Sequence, residues 1–185
     1  MDEIIRSHID NLHATDRSLQ NEAYFFLMEA TGEPVDWAYK VWDGLVGDLG
    51  HADNDVRAIA AQLLANLARH SDPEHRILDD FEALLAVTRD ERFVTARHAL
   101  KAIWKVGAAG TAQRGAVLEG LGRRFRECEV EKNTTLIRYD IIVGLKDLCD
   151  VVGDEAVREQ ALEWIETEGD EKYRKKYAGV WRVKK

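Results

Sequence analysis

Residues 51–70 read HADNDVRAIAAQLLANLARH: an Asp-rich turn that runs straight into alanine and leucine. On a helix advancing 100° per residue, Val56, Ile59, Ala60, Leu63, Leu64 and Leu67 fall on one stripe, as in an amphipathic helix. Asp53, three residues before Val56, is placed to cap that helix and is favoured there by its dipole. The pattern recurs in both directions. Shifted back by 37 residues, Asp16 takes the cap place before Leu19, Ala23, Phe26, Leu27 and Ala30. Shifted forward by 39, the stripe becomes Thr95, Ala99, Ala102, Ile103 and Val106. A further 42 places Thr134 as cap before Ile137, Ile141, Gly144, Leu145 and Leu148. A last shift of 36 places Asp170 before Tyr173, Tyr177, Val180 and Trp181.

Another amphipathic segment precedes each of these five, at roughly 2–13, 35–49, 74–88, 111–130 and 154–167. Pro34 and Pro73 fall just ahead of two of them, with Asp72 placed to cap a helix that starts at Pro73. No alternating strand pattern appears between turn signals. A lone hairpin cannot bury its apolar stripe, whereas a stack of hairpins builds one continuous core. The expected fold is all-α: a right-handed alpha-alpha superhelix, or solenoid, of about five helical hairpins. The expected organisation is a single repeat domain over 1–185, with approximate repeats 1–32, 33–71, 72–108, 109–151 and 152–185.

The stretch DNDVRAIAAQLLANLA, residues 53–68, resembles the second helix of a HEAT repeat, with Asp55, Val56, Arg57, Ala60 and Ala61 in the expected places. Arg138 and Arg174 occupy the slot of Arg57. The resemblance covers nearly the whole chain. It implies a ladder of Arg–Asp contacts between repeats and a concave side lined by the second helices. Gln20 and Ala96 stand in the Arg slot of the first and third repeats, so the expected ladder is interrupted there. The resemblance is specific for fold and silent on function, since such solenoids serve many tasks.

Formal net charge is −8, which gives no whole-protein field attracting polyanions. The opening residues MDEIIRSHIDNL lack the apolar core of a signal peptide, and no apolar run approaches the roughly 18 residues of a membrane span. With only Cys128 and Cys149 there is no disulfide framework; a reducing, cytoplasmic setting is expected, and a bridge between the two is the minority reading. The six histidines, at 8, 13, 51, 70, 75 and 98, show no metal-ligand spacing. Neither a phosphate-cradling glycine loop nor a nucleophile elbow is present. No metal, cofactor or catalytic residue is expected, nor a membrane contact.

Positions two, five, six and nine after each stripe origin should face the groove. They include Asn21, Tyr24, Phe25 and Met28; Ala58, Ala61, Gln62 and Ala65; and Arg97, Leu100, Lys101 and Trp104. The fourth repeat adds Tyr139, Ile142, Val143 and Lys146, and the fifth Lys175, Ala178, Gly179 and Arg182. Five of these are cations and none is a carboxylate. The outer segments and connectors sum to roughly −11 and −5, against roughly +8 for the inner segments. A structural account of this polarity competes, because cations near the end of the last helix also complement its dipole.

The candidate partner-binding residues are Phe25, Met28, Arg97, Lys101, Trp104, Tyr139, Lys146, Lys175 and Arg182. They suit a non-enzymatic module that recognises an acidic protein or peptide, with aromatic anchors among the charges. The alternative is nucleic-acid binding, extending to the HEAT-like alkylpurine DNA glycosylases. Those enzymes use an aromatic–carboxylate–arginine cluster in a basic groove, and Trp104 and Arg97 resemble two of its parts. The carboxylate is missing from the exposed arc, where Asp140 and Asp147 lie at the flank. A monomer or weak dimer is expected, the latter through Ile4, Ile5, Val180 and Trp181 at the ends.

Overall fold

The caps organise the turns. In the computed structural model, which describes residues 1–182, Asp16, Asp53 and Asp170 each accept a hydrogen bond at 2.8 Å, from the backbone N–H of Ser18, Asp55 and Lys172. The helices they open are α2 (Arg17–Ala30), α4 (Asn54–His70) and α11 (Glu171–Val180). Thr134 does not cap; it is the first residue of α9 (Thr134–Val152), after Asn133. Pro73 likewise does not open its helix. Asp72 instead accepts from the N–H groups of Arg76 and Ile77 at 2.9 and 3.0 Å, so α5 begins at Ile77 and ends at Val87. The intervening turn carries His75 in the left-handed region, at φ 58°.

The remaining helices are α1 (Glu3–Asn11), α3 (Ala38–Asp48), α6 (Phe93–Ala102), α7 (Trp104–Gly107), α8 (Thr111–Glu127) and α10 (Glu155–Glu166). Ile103 keeps helical angles (φ −61°, ψ −27°), so α6 and α7 act as one helix with a local irregularity. That makes ten helices and no strand among the described residues, arranged as an all-α solenoid of hairpins. The inner helices pack in the order α2, α4, α6–α7, α9, α11; the outer helices α3, α5, α8 and α10 follow the same order. Because each inner helix is the second of its hairpin, all five run in the same direction. None of the helices is long and apolar enough to cross a membrane.

One cluster of buried side chains runs from Ile5 to Trp181. The stripe on α4 is buried at all six positions. Positions five places after the stripe origins, Ala61, Leu100 and Ile142, are buried too. An inner helix meets its outer partner and also its inner neighbours, so its buried arc is wider than one amphipathic stripe. Cys128 and Cys149 are both free thiols, and burial pushes the Cys149 thiol up.

Arginines rivet the repeats together, and the expected gaps in the ladder are filled from neighbouring positions. Arg57 clasps Asp90 through Nε and Nη2 at 2.6 and 2.9 Å and also donates to the carbonyls of His51 and Ala52. Arg138 reaches Glu168 at 2.9 Å. Where Gln20 stands, Arg17 bonds the Gln20 side chain and reaches across to Asp53 and Asp55. Where Ala96 stands, the next residue, Arg97, takes Asp140.

The hydrogen bonds from Arg57 hold the Asp90 carboxyl below its ordinary value, and those from Arg124 do the same for Glu131. A depressed carboxylate contributes stability that is complete above its unfolded value, about 4 to 4.5, and is lost as the pH falls through the folded one. Urea unfolding followed from about pH 5 down to pH 2 should therefore show falling stability. Asp90→Asn should lower stability at neutral pH and flatten that acid limb. An unchanged acid slope would show that the Arg57–Asp90 pair contributes nothing to it.

Candidate functional site

An open trough of about 430 Å³ runs across the inner helices α2, α4 and α6. Its floor is α4, where Ala58 and Ile59 are buried and Gln62 is half-buried. On one wall stand Asn21, Tyr24 and Phe25; on the other Val94, Thr95 and His98. Phe25 is 67% exposed and Val94 68%, the two most exposed large apolar side chains on the inner helices. The Tyr24 hydroxyl donates to Gln62 Oε1 at 2.9 Å, and Gln62 Nε2 donates to the Ala58 carbonyl at 3.0 Å, which orders the floor. Arg17 and Asp55 close one end as an ion pair at 3.1 Å.

Electrostatics vary along the α6 wall. Burial, with Lys101 and Arg97 nearby, lowers the His98 pKa, so this imidazole stays neutral below its ordinary range. Lys101 is exposed, one turn beyond His98, and has no carboxylate partner among the described residues. Arg97 is different: both oxygens of Asp140 hold it, at 2.6 and 2.9 Å, and that carboxylate is only 2% exposed. Asp140 is therefore a structural counter-ion, its charge already shared with a guanidinium.

The other sequence candidates lie around this trough in several ways. Met28 is half-buried beside Asn66, whose side chain also accepts from Lys105 at 2.6 Å. Trp104 is half-buried on α7, with the Arg69 guanidinium 5.5 Å from its ring centroid. It packs where α9 comes close: a Cβ on Gly144 would sit 3.5 Å from the Trp104 Cβ. Tyr139 is half-buried with the Lys176 ammonium 4.6 Å above its ring. Lys146 pairs with Asp150 and lies 5.9 Å over Trp181. Lys175 pairs with Glu171 at 2.6 Å, and Arg182 is exposed just past α11.

The trough thus unites Phe25 with Asn21, Tyr24 and Gln62 from the expected arc. It adds Arg17, Val94, Thr95 and His98, which the arc did not select. Val94 carried a legible signal, since a large apolar residue off the buried stripe and beside a cap is exposed by default. Lys175 and Arg182 are not brought to the trough. Tyr177 packs towards α9, donating to the Thr135 carbonyl at 3.0 Å; Lys175 falls on the opposite side of α11, and Arg182 lies past its end.

No family model matches the sequence, and no curated protein matches it. Among solved structures, one engineered protein is 21% identical, with 97% of this chain and 78% of that chain covered and a TM-score of 0.55. A second engineered protein is 19% identical, covers 97% of this chain and 79% of its own, and has a TM-score of 0.56. A designed armadillo repeat protein in complex with the peptide (KR)4 is 17% identical, covering 97% and 88%, with a TM-score of 0.49. The two engineered proteins are similar to this chain in fold alone; the chain itself is an all-α helical-repeat solenoid.

Proposed function

We propose that this protein is a non-enzymatic, HEAT-like binding module whose concave trough takes an extended, acidic segment of a partner protein. The observation that carries the proposal is the pair of exposed apolar walls, Phe25 and Val94, over a floor of Ala58, Ile59 and Gln62. Apolar surface at this level of exposure in a concave site suits a partner's apolar side chain. Lys101 supplies an uncommitted positive charge on the same helix as Val94, matching a carboxylate beside that anchor. Base excision is disfavoured because Asp140, buried and doubly bonded to Arg97, has little left to stabilise charge developing on a sugar.

The test is selection from a displayed library of random peptides, followed by calorimetry on the peptide most enriched. That peptide should combine an apolar residue with Asp or Glu. Phe25→Ala should weaken it by about 30-fold, as expected for an exposed aromatic anchor. Lys101→Glu should weaken it chiefly at low salt. Failure to enrich any acidic sequence, or a Phe25→Ala affinity equal to wild type, overturns the reading. A labelled DNA duplex is the counter-probe: binding that falls steeply with salt and is lost in Lys101→Glu would assign the groove to nucleic acid.

A further inference from the structure

The two ends of the stack differ in character, and they complement each other. On α2, Tyr24, Met28 and Thr31 face α4, where they contact Gln62 and Asn66. Leu19, Glu22, Phe26 and Glu29 fall on the opposite side and are all exposed. The adjoining face of α1 presents Ile4, 62% exposed, beside His8, which stacks on Phe26 at 4.0 Å and leaves its buried Nδ1 without a partner. This end is thus an apolar strip edged by two carboxylates, Glu22 and Glu29. Of the four end residues expected to be exposed from sequence, only Ile4 is prominently so; Ile5 and Trp181 are buried and Val180 is half-buried.

At the other end, the free side of α11 carries Lys172 and Lys175, with Arg182 just past the helix, and all three are exposed. Arg174 lies four residues past its N-cap Asp170, as Arg57 does past Asp53, and Arg138 lies five past Asn133. Those two arginines reach Asp90 and Glu168 in the next hairpin. Arg174 has no carboxylate partner among the described residues and makes only a 3.5 Å contact to the Glu168 carbonyl. Asp16 holds the place that Asp53 holds in the next hairpin, yet only Asp53 receives an arginine from its neighbour. One end shows a rung donor unused, the other a rung acceptor unused.

We infer that copies of this chain associate head to tail, α11 of one packing on α2 of the next and continuing the internal stack. The register supports this occupant. Inner helices run parallel and contact each other at matching depths: Tyr24 and Gln62 lie eight and nine residues past their caps. Counted the same way, Glu22 lies six past Asp16 and Lys175 five past Asp170, so this acid and this base fall in register. Glu29 in the last turn of α2 and Arg182 just past α11 stand at the same end of their helices. Pairing two N-terminal ends would instead bring the Glu22 and Glu29 carboxylates of both copies together. A heterologous contact of this kind that continues the stack without closing into a ring leaves a free end on every assembly, so growth is open and salt-sensitive.

Sedimentation velocity on the whole protein, over a concentration series at low and high salt, tests this directly. Wild type should exceed its 21.0 kDa monomer mass without levelling at the dimer, and high salt should reverse the effect. Glu22→Lys with Glu29→Lys should be monomeric, as should Lys175→Glu with Arg182→Glu; all four positions are exposed, so the fold is retained. Mixing the two double variants should restore association, because each then offers the other two complementary contacts. Wild type that remains at 21.0 kDa at every concentration overturns the inference. So does a closed dimer that the α11 variant leaves intact, or a mixture that stays monomeric.

Discussion

Glu168→Ala is expected to lower the free energy of unfolding by about 3–5 kcal/mol, the range for stranding one partner of a buried ion pair. The side chains of Arg138 and Glu168 are 11% and 9% exposed. The guanidinium donates to Glu168 Oε2 at 2.9 Å and to the Phe125 carbonyl at 3.1 Å, and it sits 4.7 Å from the Phe125 ring centroid. Removing the carboxylate leaves that positive charge between α9 and the α10–α11 turn with no counter-ion. It also removes the acceptor of the Asp170 N–H at the start of α11. Arg138→Met combined with Glu168→Leu should recover most of the loss, since no charge is then left buried. Urea midpoints at neutral pH measure both. A Glu168→Ala loss below about 1 kcal/mol would mean that water reaches Arg138 and that the turn does not seal it.

Trp42→Ala should cost a similar amount, about 3–5 kcal/mol, through the cavity it leaves. The indole is fully buried on α3 and stands edge-on to Tyr39 at 5.8 Å. Its Nε1 donates to Asp80 on α5 at 2.8 Å, so one side chain joins the second and third hairpins. Trp42→Phe keeps part of the volume and loses that hydrogen bond. Asp80 is half-exposed and can be rehydrated, so the expected cost is smaller, about 1–2 kcal/mol. Thermal unfolding read by circular dichroism decides between them. Equal losses for the two variants would show that the hydrogen bond, not the packing, is what Trp42 contributes.

The hairpin architecture was legible because it rests on periodicity, and Asp16, Asp53 and Asp170 cap as their spacing implies. The concave face was legible only in part. A single stripe origin treats an inner helix as buried on one side, yet α4 is covered by α3 and α5 and also by α2, α6 and α7. The exposed arc is therefore turned, so that Leu100 is lost to the interior and Val94 and His98 line the trough. Charge was the least legible feature. Arg97 and Asp140 are 43 residues apart in sequence, and nothing local marks them as partners until α6 and α9 are packed. Counting Arg97 as an uncommitted cation, as a one-dimensional tally must, overstates how basic the groove is.

The trough also has a mechanical character. Its walls are borne on α2 and α6, and these helices are tied to one another through α4. The gap between Phe25 and Val94 is thus set by two successive helix contacts, α2 on α4 and α4 on α6, with Ala58 lining the trough between them. Its width is therefore a property of how neighbouring hairpins stack and not of any one hairpin.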